Sequence, residues 1–276
     1  MKSCRLFGVH RQTIYQQRDR LQAKGVQLEP IEEIVLTIRR KMPRLGGRKL
    51  YKLIKPRLEE LNIKMGRDGL FSYLRSQNLL VKPRKNYTKT TFSHHHLRKH
   101  PNLYTDLELT RREQAFVSDI TYVESDEGVH YLSLVTDAHT RKIMGHHLSK
   151  DMKAESVVKA LKQAVKNRLD KRSLIHHSDR GSQYCSALYQ QTLDKNNITP
   201  STTDGYDCYQ NALAERVNGI LKQEFLVYQC KTFDEMKVLI DESIDTYNCY
   251  RPHLSLGMKT PNQVHKKTSC NEQLAF

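Results

Sequence analysis

Apolar residues recur at helical spacing through the first eighty positions and at strand spacing only after residue 115. Residues 4–24 read as two short helical pieces turning at Gly8 to His10, with Arg11 opening the second. A firmer helix is expected from Pro30. Proline suits a first turn, Glu32 and Glu33 suit the positive N-terminal end, and Arg39, Arg40 and Lys41 suit the other end. Ile31, Ile34, Val35 and Ile38 form its inner side, and Gly46–Gly47 breaks it. Residues 48–61 repeat the pattern with Leu50, Leu53, Ile54, Leu58 and Leu61 inward and a bend at Pro56. Residues 67–78 make a third helix with Leu70, Tyr73 and Leu74 inward. Three short helices with tight turns suit a helix-turn-helix-like bundle, its last helix the natural groove reader.

After residue 115 the period changes. Strands are expected over 116–123, 129–137 and 142–149, joined by short turns into an antiparallel meander. A helix over 153–169 buries Val157, Val158, Leu161 and Val165. A short strand, 174–177, ends at Ser178-Asp179, followed by a helix over 184–196 and a brief strand over 199–203. Residues 209–225, YQNALAERVNGILKQEF, read as one helix centred on Glu215, and a last long helix covers 234–250. The order β-β-β-α-β-α-β-α-α predicts an α/β layer, helices over a mixed sheet.

Charge divides the 276-residue chain in the same place. Residues 1–105 carry 24 Lys and Arg against 7 Asp and Glu, whereas residues 106–276 carry 22 against 23. The whole basic excess therefore belongs to the helical front, which points to a polyanion, nucleic acid before membrane. No apolar run approaches the roughly 18 residues of a membrane span, and the start lacks a secretion signal's apolar stretch. Six cysteines without a CxxC pair fit reduced thiols in a cytoplasmic protein. Residues 82–108 have the chemistry of a basic linker. His94, His95, His96 and His100 lack a matching Cys pair at zinc-finger spacing, so a tether along a phosphate backbone is the better reading.

Three carboxylates carry the candidate chemistry. Asp119 stands mid-strand, where a carboxylate is costly unless paired or metal-bound. Asp179 stands just past a strand end, where ligand sites of open α/β sheets collect. In a meander followed by a crossover helix the first and fourth strands can lie side by side, bringing the two together. Glu215, on a helix passing the strand ends, would complete an oxygen-only site for Mg²⁺ or Mn²⁺. Two such ions about 4 Å apart clamp the attacking and leaving oxygens of a phosphodiester displacement. Asn211, Gly219 and Lys222 share the Glu215 face and make it a contact line for metal and phosphate.

Asp119, Asp179 and Glu215, with 35 residues between the last two, match the D,D(35)E signature of retroviral integrases and related transposases. The surroundings resemble one group, insertion-sequence transposases of the second-open-reading-frame type with an integrase core. SDITYV at Asp119 is similar to their TDITYI, HHSDRGSQY at Asp179 to HSDqGsqY, and NALAERVNGILKQE at Glu215 to DNAxxEsffxxLKxE. YNCYRPHLSLGMKTP resembles their YNxxRxHxxLxxxTP tail, and the basic segment from Gly46 onward resembles the helix-turn-helix before the core. The chain departs from the pattern at Phe116 and His146, where Trp is usual, at Gln210, usually Asp, and at Arg216, usually Ser or Asn.

The resemblance implies an RNase H-like integrase core at 109–270 behind a basic helical DNA-binding region at 1–81 and a linker at 82–108. It implies catalysis by Asp119, Asp179 and Glu215 through two Mg²⁺ or Mn²⁺ ions, which expose a 3′-OH at an element end and drive its attack on another phosphodiester. Double-stranded DNA, both element ends and target, is the implied partner. Lys222, Asn211, Arg48, Lys49, Arg67, Arg84, Lys85 and Arg251 are the DNA-contact candidates. The chain would act at the bacterial nucleoid as a homo-oligomer, fused to or paired with an upstream helix-turn-helix protein. A hydrolytic nuclease on the same fold, or an inactive DNA-binding relic, are the alternatives.

Overall fold

The computed structural model describes residue 8 and residues 10–82, 99–204 and 208–271, and the chain divides into two compact units, 1–82 and 83–276. The first is helical: α1 (Arg11–Lys41), α2 (Gly47–Glu60) and α3 (Arg67–Ser76). α1 is a single helix of 31 residues that opens at Arg11 as expected and runs on through Pro30, where a fresh start was expected; the first short piece, residues 4–7, lies outside the described residues. Proline removes one backbone donor, a local loss that helix-favouring Gln, Arg and Leu on either side outweigh. Pro56 is likewise carried inside α2.

Ile31, Val35, Leu50, Ile54, Leu70 and Leu74 form the buried interior of this unit, while Leu61, expected inward, is exposed at the end of α2. Both α2 and α3 end on an asparagine in the left-handed region, Asn62 (φ 54°) and Asn78 (φ 55°). Each time the next N–H closes back, Ile63 to Leu58 O at 2.8 Å and Leu79 to Leu74 O at 2.7 Å. A Cβ at Gly47 would stand 2.8 Å from the Phe71 ring, so any larger residue in the first turn of α2 would have to push that ring aside.

The second unit is built on five strands: β1 (Ala115–Ser125), β2 (Gly128–Asp137), β3 (Ile143–Ser149), β4 (Leu174–Ser178) and β5 (Ile198–Thr202). Their order is β3-β2-β1-β4-β5. β1, β2 and β3 form the expected antiparallel meander, and β4 and β5 add in parallel to β1. Helices cover both faces, so consecutive residues of β1, Ala115, Phe116 and Val117, are all fully buried.

On one face α4 (Ala154–Lys166) and α5 (Ala187–Lys195) pack Val157, Val158, Leu161, Tyr189 and Leu193 against Phe116, Met144 and Leu174. α4 comes so close to β3 that a Cβ at Gly145 would overlap the Ala160 carbonyl. On the other face Ala214 and Leu213 meet Ala115, Val117 and Ala138, joined by Tyr104, Leu107 and Leu109. The segment 99–108, expected to be linker, thus lies partly on the core. Leu103 N–H bonds Ser201 Oγ, and Asn102 Nδ2 bonds Gln210 Oε1.

The expected single helix over 209–225 is three consecutive helical forms. A 3₁₀ turn (Cys208–Asn211) leads into α6 (Ala212–Ile220), which widens into a π-turn (Leu221–Phe225). α7 (Phe233–Cys249) follows as expected. A further helix, α8 (Pro261–Asn271), was not anticipated. Thr260 and Gln263 begin it with a reciprocal capping box: Gln263 N–H to Thr260 Oγ1 at 3.3 Å and Thr260 N–H to Gln263 Oε1 at 2.9 Å. No helix among the described residues is long and apolar enough to cross a membrane, and Cys185, Cys230 and Cys249 are free thiols.

Candidate active site

β1 and β4 run in parallel with Ser118 opposite Ser178. The next residue on each is an aspartate, so Asp119 and Asp179 stand side by side as β4 ends. Asp119 is partly buried. Its Oδ1 accepts the Ile120 N–H at 2.9 Å and its Oδ2 accepts Asn218 Nδ2 at 2.8 Å. Asp179 Oδ1 accepts the Gly181 N–H at 3.0 Å, closing the turn after β4. Glu215 lies in the first turn of α6, exposed, at the helix end that favours negative charge.

The three carboxylates sense one another. Burial first, then Asp179, pushes the Asp119 carboxyl up to about 7; Glu215 adds to this, and the Asn218 amide and Ile120 N–H oppose it. Glu215 is raised too, by partial burial and then by Asp179. A donor set made only of carboxylates, each opposing its neighbours' ionisation, fits a hard divalent cation. Among the described residues no three His, Cys, Asp or Glu side chains are gathered closely enough to hold one ion; Asp119 is held by an amide.

A buried polar frame fixes the two strands. His176 Nε2 lies 2.7 Å from Ser118 Oγ and 2.8 Å from Tyr189 OH, linking β1, β4 and α5. Burial drops its pKa to about 3, so it is a neutral hydrogen-bonding hub. His177, lowered to about 4 by burial, donates from Nε2 to Gln210 O at 3.1 Å; its Nδ1 accepts from Ser201 Oγ at 2.9 Å, and the ring stacks on Tyr104. Asn218 escaped the sequence reading, although its three-residue step from Glu215 puts it on the same helix face.

The DNA-contact candidates divide. Lys222, half-buried in the π-turn, donates to Thr121 Oγ1 at 3.0 Å and lies 4.2 Å from the centre of the Tyr122 ring. A Cβ at Gly219, one turn before it, would meet nothing within 4 Å, which leaves the face open. Asn211 corrects its expectation: it is buried, and its amide donates inward to Ser118 O at 3.0 Å. Arg251 reads from sequence as either a brace for the last helix or a DNA contact, and the structure favours the brace. Only 1 % exposed, it spends its guanidinium on Glu224, because a buried charge needs a partner more than a surface charge needs DNA. In the helical unit Arg48 is exposed, Lys49 half-buried, and Arg67 exposed beside Asp68 at 2.9 Å. Arg84, Lys85 and His94 to His96 lie outside the described residues.

Three of the four positions that depart from the quoted motifs have structural work. Phe116 is wholly inside the core, His146 Nε2 meets Asp241 Oδ1 at 2.6 Å, and Gln210 holds Asn102.

Two family models, each described as an integrase core domain, match residues 110–208 and 196–261. An insertion element IS600 protein of 31 kDa from Shigella sonnei is 33% identical over 96% of this chain and 97% of its own. The transposase InsF for insertion sequence IS3A of Escherichia coli (strain K12) is 30% identical over 96% of this chain and 93% of its own. Among solved structures, the HTLV-2 integrase catalytic core domain in complex with magnesium aligns with 56% of this chain and 97% of its own, at 20% identity and a TM-score of 0.45.

Proposed function

The chain belongs to the insertion-sequence transposases with an integrase core, and we propose that it works on the ends of its own mobile element with Asp119, Asp179 and Glu215 as the catalytic, metal-holding triad. The parallel register of β1 and β4, which sets the two aspartates side by side, is the observation that carries this reading. Mg²⁺ or Mn²⁺, two ions in all, would be held by these carboxylates and would stabilise the attacking and leaving oxygens of an in-line displacement.

The chain's own groups do the rest. β1 and β4 fix the aspartates on rigid backbone, and Asn218 orients the Asp119 carboxylate from α6. The exposed Glu215 joins from the helix above. Lys222 offers its ammonium to a phosphate beside the site. The reaction has two displacements: water opens the bond at the element end and leaves a 3′-OH, and that hydroxyl then attacks a second phosphodiester, expelling its 3′-oxygen. Bond count is conserved in the second step, so no external energy source is needed.

We assign residues 1–81 to DNA binding, with Arg48, Lys49 and Arg67 as phosphate contacts, 82–98 to the connection, and 109–270 to catalysis, with 99–108 packed on the catalytic unit. Two ends must be held together, which calls for more than one copy, acting at the nucleoid alone or with an upstream helix-turn-helix protein. The test is junction sequencing of element circles in cells carrying the gene with its native flanks. Joined ends are expected with the wild-type chain and not with Glu215→Gln. Equal circle formation by both would refute the triad.

A further inference from the structure

The LKQE and YNCYRPH stretches are separated in sequence and meet in the fold. Arg251 Nε and Nη2 donate to the two oxygens of Glu224 at 2.8 and 2.7 Å, a two-pronged pair. Arg251 Nη1 lies 3.0 Å from His253 Nε2. A guanidinium has no acceptor, so that nitrogen accepts and the imidazole carries its proton on Nδ1. The Tyr247 ring packs edge-on against His253 at 4.9 Å, and its hydroxyl donates to Arg141 O at 3.0 Å. Asn248 exchanges two hydrogen bonds of 3.0 Å with the backbone of Ile143 at the start of β3. The end of α7 is thereby bolted to the sheet, and Arg251 reaches from it to the π-turn.

That turn also carries Lys222. Its wide loop closes with Leu226 N–H on Leu221 O at 2.9 Å, and π-turns of this kind cluster at functional sites. Glu224 follows Lys222 by two residues and so points to nearly the opposite side of the helix. Leu221 and Phe225, both buried, fill the core between. A turn anchored at Glu224 cannot rotate without carrying Lys222 off Thr121 and Tyr122.

We infer that Arg251, with Glu224 and His253, is a positioning device that holds the π-turn so that the Lys222 ammonium is fixed beside the active-site strand. The inference concerns residues that touch neither metal nor phosphate, and its DNA consequence rests on the reading of Lys222 as a phosphate contact. It also gives Arg251 a role that suits its burial.

Two measurements test it on the full-length protein. The first is the rate at which an amine-acylating reagent modifies Lys222, read by mass spectrometry, in wild type, Arg251→Lys and Glu224→Gln. Several-fold faster labelling of Lys222 is expected in both variants, with the exposed Lys159 unchanged; an unchanged Lys222 rate would overturn the inference. The second is affinity for a labelled duplex of the DNA flanking the gene, for Lys222→Ala, Arg251→Lys and the double variant. Each single variant should lose about tenfold and flatten the salt dependence by about one ion. The double variant should lose no more than Lys222→Ala alone. Losses that multiply would mean that Arg251 acts independently of Lys222, against the inference. If Lys222→Ala binds DNA normally while Arg251→Lys still speeds labelling, the positioning stands and the phosphate-contact reading falls. Should Arg251→Lys unfold, Glu224→Gln, which keeps the side chain's shape, carries both measurements.

Discussion

At the start of β1, Glu113 and Asp137 are wholly buried, and each is matched. His265 Nε2 lies 3.2 Å from Glu113 and Nδ1 3.4 Å from Asp137. The N–H groups of Leu169 and Asp170 bond Glu113 at 2.8 and 2.9 Å, and Thr140 Oγ1 donates to Asp137 at 2.6 Å. Burial opposes the charge on Glu113, yet His265 and those N–H groups outweigh it and hold the carboxyl below its ordinary value. Four residues along from the strand's first, Asp119 shows the reverse: burial and neighbouring carboxylates push it up to about 7. One end of the strand uses acid to hold α8 in place. The middle of the strand keeps acids together against their mutual repulsion, a cost that a cation held between them would remove.

The contrast can be broken most forcefully at the active site. Asp119→Asn or Glu215→Gln should lower strand joining on the order of 10³-fold, while Asp119→Asn melts no lower than wild type in metal-free buffer. Glu113→Gln or Asp137→Asn should do the opposite, costing about 3–5 kcal/mol of stability by breaking a buried pair, read by denaturant titration.

Acidity sharpens the comparison. In the window from about pH 4 to about 7 folded Asp119 holds a proton that the unfolded chain has lost. Without metal, wild type should therefore lose stability relative to Asp119→Asn as pH rises through that window. Asp170 has the other sign. Arg172 first, with Arg111, outweighs burial and holds it down to about 2, so its contribution is present above about pH 4 and lost as pH falls toward 2. Asp170→Asn, at a side chain only 8 % exposed, should cost about 2 kcal/mol at neutral pH and flatten that acid limb of the unfolding curve. The smallest effect is expected at the α8 capping box, where Thr260→Ala should cost about 1 kcal/mol by thermal denaturation.

Much of this was legible in the chain because it is local. Strand alternation located β1 to β3, an aspartate in mid-strand flagged Asp119, and a meander followed by a crossover placed it beside Asp179. What was not legible depends on partners distant in sequence. Arg251 reads equally as a brace for the last helix or a DNA contact until Glu224, 27 residues away, is known to face it. Asn211 reads as a polar helix residue until Ser118 O is found beneath it. The π-turn was hidden because 209–225 keeps its apolar residues through the change of helical form. Pro30 misled because its fit to a first turn gives no measure of how strongly flanking residues carry a helix past it. The start of α8 was readable: Thr260-Pro-Asn-Gln263 is a capping-box pattern with proline at the first helical position.

The claim that Asp119 is a metal ligand is tested most directly by exchanging its donor atom. Purified wild type and Asp119→Cys would be given a duplex of the gene's flanking DNA with Mg²⁺ or Mn²⁺ as the only divalent ion, and strand joining measured. A ligand role predicts joining by wild type in either ion and by Asp119→Cys in Mn²⁺ alone, because the softer ion accepts a thiolate that Mg²⁺ refuses. Joining by Asp119→Cys in Mg²⁺ at the wild-type rate would contradict it and remove Asp119 from the metal's coordination.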